Sequence, residues 1–150
     1  MKLMPDEELY QLVNQLSETF FNKSFMDEVR FNPRLRTTGG RYIPSKRLIE
    51  LNPKYALEFE REELYGIIKH ELCHYHLHIE GKGYQHRDKD FRELLAKTGS
   101  PRHCKQLPSE QNRYRYTYEC NKCKTVYKRV RKVDVSRYRC GKCRGKLNLV

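Results

Sequence analysis

A helix that carries His70-Glu71-Leu72-Cys73-His74 has few ways to bury itself. Residues four apart lie one turn above one another on the same helical face. His70 and His74 therefore point the same way, and Glu71 stands beside the first of them. Leu64, Ile67, Ile68 and Leu72 wrap the same run in apolar side chains and take it out of solvent. Two imidazoles and a carboxylate buried together need polar partners. A divalent metal supplies them: two imidazoles, a third protein ligand and a water complete a tetrahedral catalytic zinc site. A carboxylate placed as Glu71 is can take a proton from that water, so Glu71 is the candidate catalytic base.

The third ligand must come from outside this helical turn. His78 continues the four-residue series but lies eight residues, about 12 Å, along the axis from His70. Zinc–nitrogen distances near ~2.1 Å do not let His70, His74 and His78 converge from one straight helix. His76 faces away from His74 and is read with His78 as a polar cap over the helix end. His86 follows the Gly81–Gly83 break, where the chain can fold back over the site. His86 is the choice, with Glu93 as the carboxylate alternative.

A second metal pattern closes the chain. Cys120-x-x-Cys123 and Cys140-x-x-Cys143 are separated by 16 residues, the spacing of a zinc ribbon. So small a module cannot bury a sufficient core, and its folding energy is expected from a structural zinc ion. Gly141 is expected to let the second knuckle turn tightly. Charge is concentrated there too. Residues 109–150 hold 13 Lys and Arg against 3 Asp and Glu, so +10 of the chain's +12 sits in its last 42 residues. Tyrosines alternate with cations along this stretch, offering flat faces for bases and charges for phosphates. The candidate nucleic-acid contacts are Arg113, Arg115, Tyr116, Lys128, Arg129, Arg131, Arg137 and Arg139. The competing reading is that alternate tyrosines form the ribbon's own core while the arginines are solvated.

The rest of the chain reads as small elements around the motif. Asp6 is a plausible N-cap for an amphipathic helix over about residues 6–20. Three strands are expected in residues 25–31, 37–42 and 47–51, then helices over 61–79 and 88–97. Residues 99–112 look like a linker. The N-terminus shows no secretory signal of the usual form, and no apolar run approaches the ~20 residues that span a bilayer. Paired cysteines fit a reducing compartment, so a cytoplasmic location without membrane association is expected.

Several of these features together resemble the SprT-like zinc metalloproteases, relatives of the eukaryotic DNA–protein crosslink protease Spartan. They are the stretch Thr37–Asn52, the segment Leu64–His74, His86 with Asp90-Phe91, and the C-terminal ribbon. The resemblance implies an α+β zincin-like domain over 1–108, with an N-terminal helix, a small antiparallel sheet and the motif helix, followed by a basic β ribbon over 109–150. It implies His86 as third ligand, one catalytic and one structural zinc, and cleavage of proteins associated with or crosslinked to DNA. The alternative from another class is a non-catalytic, zinc-stabilised nucleic-acid-binding protein.

Overall fold

The computed structural model describes residues 3–111 and 114–150 and divides into two compact units, Met1–Leu107 and Pro108–Val150. The first is a mixed α+β unit. Helix α1 (Asp6–Phe21) buries Leu9, Val13 and Leu16. Its N-cap is Pro5 rather than Asp6, and no side chain caps it. Asp6, Glu7 and Glu8 instead lie in the first turn, where they complement the helix dipole.

Strands β1 (Glu28–Phe31), β2 (Gly40–Ile43) and β3 (Leu48–Leu51) form one sheet in the order β1-β3-β2. The sheet is not wholly antiparallel as expected. β2 and β3 pair antiparallel through a short 3-10 turn, Pro44–Lys46, closed by Arg47 in the left-handed region. The longer connection after β1 carries the chain to the far side of β3, so β1 pairs parallel with it. β3 is the central strand and is buried along its whole length. That burial includes Glu50, only 1 % exposed, whose carboxylate accepts from Arg41 Nε at 2.6 Å and Arg30 Nε at 3.1 Å. Burial opposes its charge, but hydrogen bonds from Arg41, Asn32 and Arg30 outweigh burial and lower its pKa.

A short helix the sequence did not announce, α2 (Pro53–Glu58), is capped by Asn52, which accepts the Lys54 N–H. It leads into α3 (Arg61–Ile79), the motif helix. Two apolar clusters grip α3. Leu64, Ile67, Ile68, Leu72 and Tyr75 pack with α1 and the sheet, while Cys73 and Leu77 pack with Phe91 and Leu95 of α4 (Lys89–Lys97). Residues 101–107 are not a linker. Leu107 is 1 % exposed in the main core, and Tyr55 Oη donates to the Lys105 carbonyl at 2.8 Å. Pro101 seats against Gly66 of α3, where a Cβ would stand 2.9 Å from its ring.

The second unit begins with the single turn α5 (Pro108–Gln111). Three short strands follow, β4 (Tyr116–Cys120), β5 (Val126–Arg129) and β6 (Leu147–Leu149), in the order β5-β4-β6 and all antiparallel. Its core is small: Tyr118, Cys120, Cys140 and Leu147, with Tyr116, Tyr127, Val133 and Val135 packed against them. Among the described residues no helix is long and apolar enough to cross a membrane.

Candidate metal centres and cleft

His70 and His74 leave α3 on the stripe between its two apolar clusters, and the loop after Gly81 returns His86 to them. The Nε2 atom of His86 lies 3.0 Å from His70 Nε2 and 3.1 Å from His74 Nε2. One ligand atom from each residue falls within 4.8 Å of the others. The far side of each helical imidazole is held by a backbone carbonyl. His70 Nδ1 donates to Pro101 O at 2.8 Å and His74 Nδ1 donates to Tyr84 O at 2.5 Å. With Nδ1 protonated in this way, Nε2 presents a lone pair. Lone pairs converging from two anchored imidazoles repel one another unless a cation or a proton lies between them. Burial moves the pKa of His74 down to about 4, against the Tyr84 carbonyl, which raises it, and lowers that of His70 as well. A metal ion is therefore the fitting partner, and nitrogens about 3.4 Å apart are what a tetrahedron with ~2.1 Å bonds requires.

Phe91 is the floor of this cluster. It is 1 % exposed, stacks on His74 with centroids 4.2 Å apart, and meets His70 and His86 edge-on. Asp88 and Asp90 shape the loop that delivers His86: Asp88 accepts the Gln85 N–H and Asp90 the Gly83 N–H, both at 3.0 Å. Glu93 is not in the group; it is exposed and paired with Lys89 at 3.6 Å. His76 and His78 are not a solvent cap. His76 is buried against Ser17, and His78 Nδ1 lies 2.7 Å from Tyr42 Oη.

Glu71 is 6 % exposed, and burial pushes its carboxyl up to about 8. A cation beside it would favour the ionised form. Two hollows meet over it. One, of about 350 Å³, is lined by Arg41, Tyr42, Tyr84, His74 and His86; the other, of about 160 Å³, by Thr38, Gly39, Arg102 and His103. Gly40, His70 and Glu71 belong to both, so the carboxylate faces an open cleft flanked by β2, which pairs with β3 on one side only.

In the second unit Cys120, Cys123, Cys140 and Cys143 converge. Their sulfurs are too far apart for disulfides, 3.4 Å for Cys120–Cys143 and 3.6 Å for Cys123–Cys140. Those values suit the edges of a tetrahedron around zinc with bonds near ~2.3 Å. Cys120 Sγ accepts the Lys122 and Cys123 N–H groups, and the Tyr127 hydroxyl lies 3.1 Å from Cys140 Sγ. Gly145, not Gly141, is the glycine this packing demands: a Cβ there would stand 2.7 Å from Cys120 Sγ, whereas Gly141 has room. The residues in left-handed conformation at the ends of the knuckles are Lys124 and Arg144.

Of the candidate nucleic-acid contacts, Arg115, Lys128, Arg129, Arg131, Arg137 and Arg139 are exposed, and Arg113 lies outside the described residues. Tyr116, Tyr118 and Tyr127 belong to the ribbon's core. Tyr138 stands clear, 55 % exposed beside Arg137, and Tyr114 is 40 % exposed.

The sequence model of the SprT-like family matches residues 9–113, and that of the SprT-like zinc ribbon domain matches residues 114–150. The chain is similar to Protein SprT-like of Oceanobacillus iheyensis, 71% identical over 147 residues that cover 98% of each chain. It is 53% identical over 148 residues to Protein SprT-like of Bacillus subtilis, covering 98% of this chain and 99% of that one. Among solved structures, a looser likeness links it to the crystal structure of the metallopeptidase zymogen of Pyrococcus abyssi abylysin. That match has a TM-score of 0.44 and 24% identity, over 58% of this chain and 75% of that chain.

Proposed function

The chain belongs to the SprT-like family, and on that premise we propose that it is a zinc-dependent metallopeptidase with a zincin-like catalytic unit. The observation that carries the reading is the convergence of His70, His74 and His86 Nε2 beside the buried Glu71 in an open cleft. His70, His74 and His86 hold the zinc. When bound, zinc supplies Lewis acidity toward a peptide carbonyl and lowers the pKa of water.

The other steps belong to this chain's own side chains. The carbonyls of Pro101 and Tyr84 fix the tautomers of His70 and His74 and aim both rings into the cleft. Glu71 takes a proton from water on its carboxylate and later delivers it to the leaving amine nitrogen. β2 offers its unpaired edge to an extended polypeptide, the β-augmentation mode, which suits a protein substrate better than a small molecule.

The four ribbon cysteines hold a structural zinc, and their paired use fits a reducing cytoplasm. The cationic surface of residues 114–150 is read as a nucleic-acid-binding face that recruits the protease to DNA-associated proteins.

The test is Glu71→Gln, which keeps shape but cannot accept the proton. Cleavage of a DNA-bound protein should fall about 10²–10⁴-fold with zinc content unchanged. Undiminished cleavage would remove Glu71 from the mechanism.

A further inference from the structure

The segment of residues 101–105 borders the cleft and is fixed at both ends. At one end Pro101 packs on Gly66 and accepts from His70 Nδ1. At the other, the Lys105 N–H donates to Glu63 Oε1 at 2.7 Å and its carbonyl accepts from Tyr55. Cys104 lies against Gly39, so it too is held to the body of the unit. Between these anchors only Arg102 and His103 project. Both are exposed, and both line the hollow that contains Glu71 and His70.

Two donors on the β2 side of the cleft are already engaged. Arg41 is bound to Glu50, and Tyr42 is paired with His78. No hydrogen bond among the described residues holds the His103 ring. His103 nevertheless shares its hollow with His70 and Glu71. The turn thus brings a free N–H donor, backed by a permanent cation, to the side of the cleft that also holds the general base.

We propose that His103 is a further catalytic residue, donating an N–H hydrogen bond to the carbonyl oxygen of the scissile peptide. This rests on the peptidase reading. As the water oxygen bonds to the carbonyl carbon, the C=O π pair moves onto the carbonyl oxygen. The His103 N–H stabilises that charge without giving up its proton. The water's proton goes to Glu71 and then to the amine nitrogen as the C–N bond breaks. Removing one such preorganised donor typically costs about 10²–10³-fold in turnover.

The test uses the full, zinc-loaded chain and compares His103→Ala and His103→Gln with the native protein. Zinc content, kcat and KM are measured, together with calorimetric affinity for a phosphinic peptide, whose tetrahedral anion mimics the charged oxygen. Plain peptide binding is measured in the Glu71→Gln background. His103→Ala should keep both zinc ions, lose about 10²-fold in kcat with KM nearly constant, and bind the phosphinic peptide at least about tenfold more weakly. Plain peptide affinity should not change, and His103→Gln should recover part of the loss. Native kcat and phosphinic affinity in His103→Ala would overturn the inference and leave the peptidase reading intact. Zinc loss in that variant would overturn it as well, making His103 a support of the metal site. A native protein that binds the phosphinic peptide through His103 yet cleaves no peptide would instead overturn the peptidase reading, and the catalytic role with it.

Discussion

Ser17 Oγ lies 2.7 Å from His76 Nε2, joining α1 to the face of α3 that points away from the cleft. The hydroxyl also donates to the Lys23 carbonyl at 2.6 Å, so the imidazole must be the donor in the pair. Both residues are buried. Ser17→Ala would leave a buried N–H without a partner and should cost about 1–3 kcal/mol in a urea melt, with zinc stoichiometry unchanged.

The same pair predicts acid sensitivity. Burial, and secondarily Lys23, hold the His76 imidazole at about 4. Because the folded pKa is depressed, the unfolded chain takes up this proton first as the pH falls. The contribution is fully present above the ordinary value of about 6.5 and is lost between there and about 4, an effect of about 3 kcal/mol at most. His76→Gln can keep the bond to Ser17 but does not titrate. Urea melts at pH 7, 6 and 5 should show a shallower loss for the variant; parallel slopes would refute the assignment.

Gly66→Ala sets two effects against each other. Alanine within a helix is favoured over glycine by about 1 kcal/mol. The new methyl, however, would stand 2.9 Å from the Pro101 ring and must displace it, and with it the carbonyl that orients His70. Loss of such support commonly costs about 10–100-fold in metal affinity. A chelator competition at the histidine site should register that drop even if thermal stability is unchanged.

Metal content should separate the histidines. His86→Ala should lose the more exchangeable of two zinc ions, whereas His78→Ala should retain both, since its imidazole is spent on Tyr42. Elemental analysis before and after mild chelation decides it. Loss of metal in His78→Ala alone would contradict the assigned ligand set.

For the ribbon, nucleic-acid binding should fall steeply with salt, as counterion release requires. Tyr138→Ala should weaken single-strand binding by about 1–3 kcal/mol if a base stacks on it. Tyr118→Ala should instead disrupt the ribbon itself, because its ring is 1 % exposed in the core. Equal affinities of native and Tyr138→Ala proteins would move the contact elsewhere.

What could be read in advance was whatever depends on local spacing. The shared face of His70 and His74 and the paired cysteine knuckles are properties of short segments. The missed features depend on distant partners. The sequence around β1 marks a strand but not its direction, which the connection to β2 decides. Residues 99–112 contain two prolines and little apolar surface, yet Leu107 and the Lys105 backbone are drawn into the core by α2 and Tyr55. His76 looked like part of a polar cap because its partner Ser17 is 59 residues away. Phe91 gave only a weak signal, an aromatic shortly after His86, although it supports all three imidazoles.

The anchoring of His70 and His74 by main-chain carbonyls has an evolutionary consequence. An imidazole held by a carboxylate side chain ties its neighbour to one or two amino acids for as long as the function is selected. Pro101 and Tyr84 act through an atom that every amino acid possesses. Selection on the metal site therefore constrains the path of the chain at these positions more than the letters written there, and substitutions can accumulate while the orientation of the imidazoles persists. What the metal site requires of both positions is a place in space.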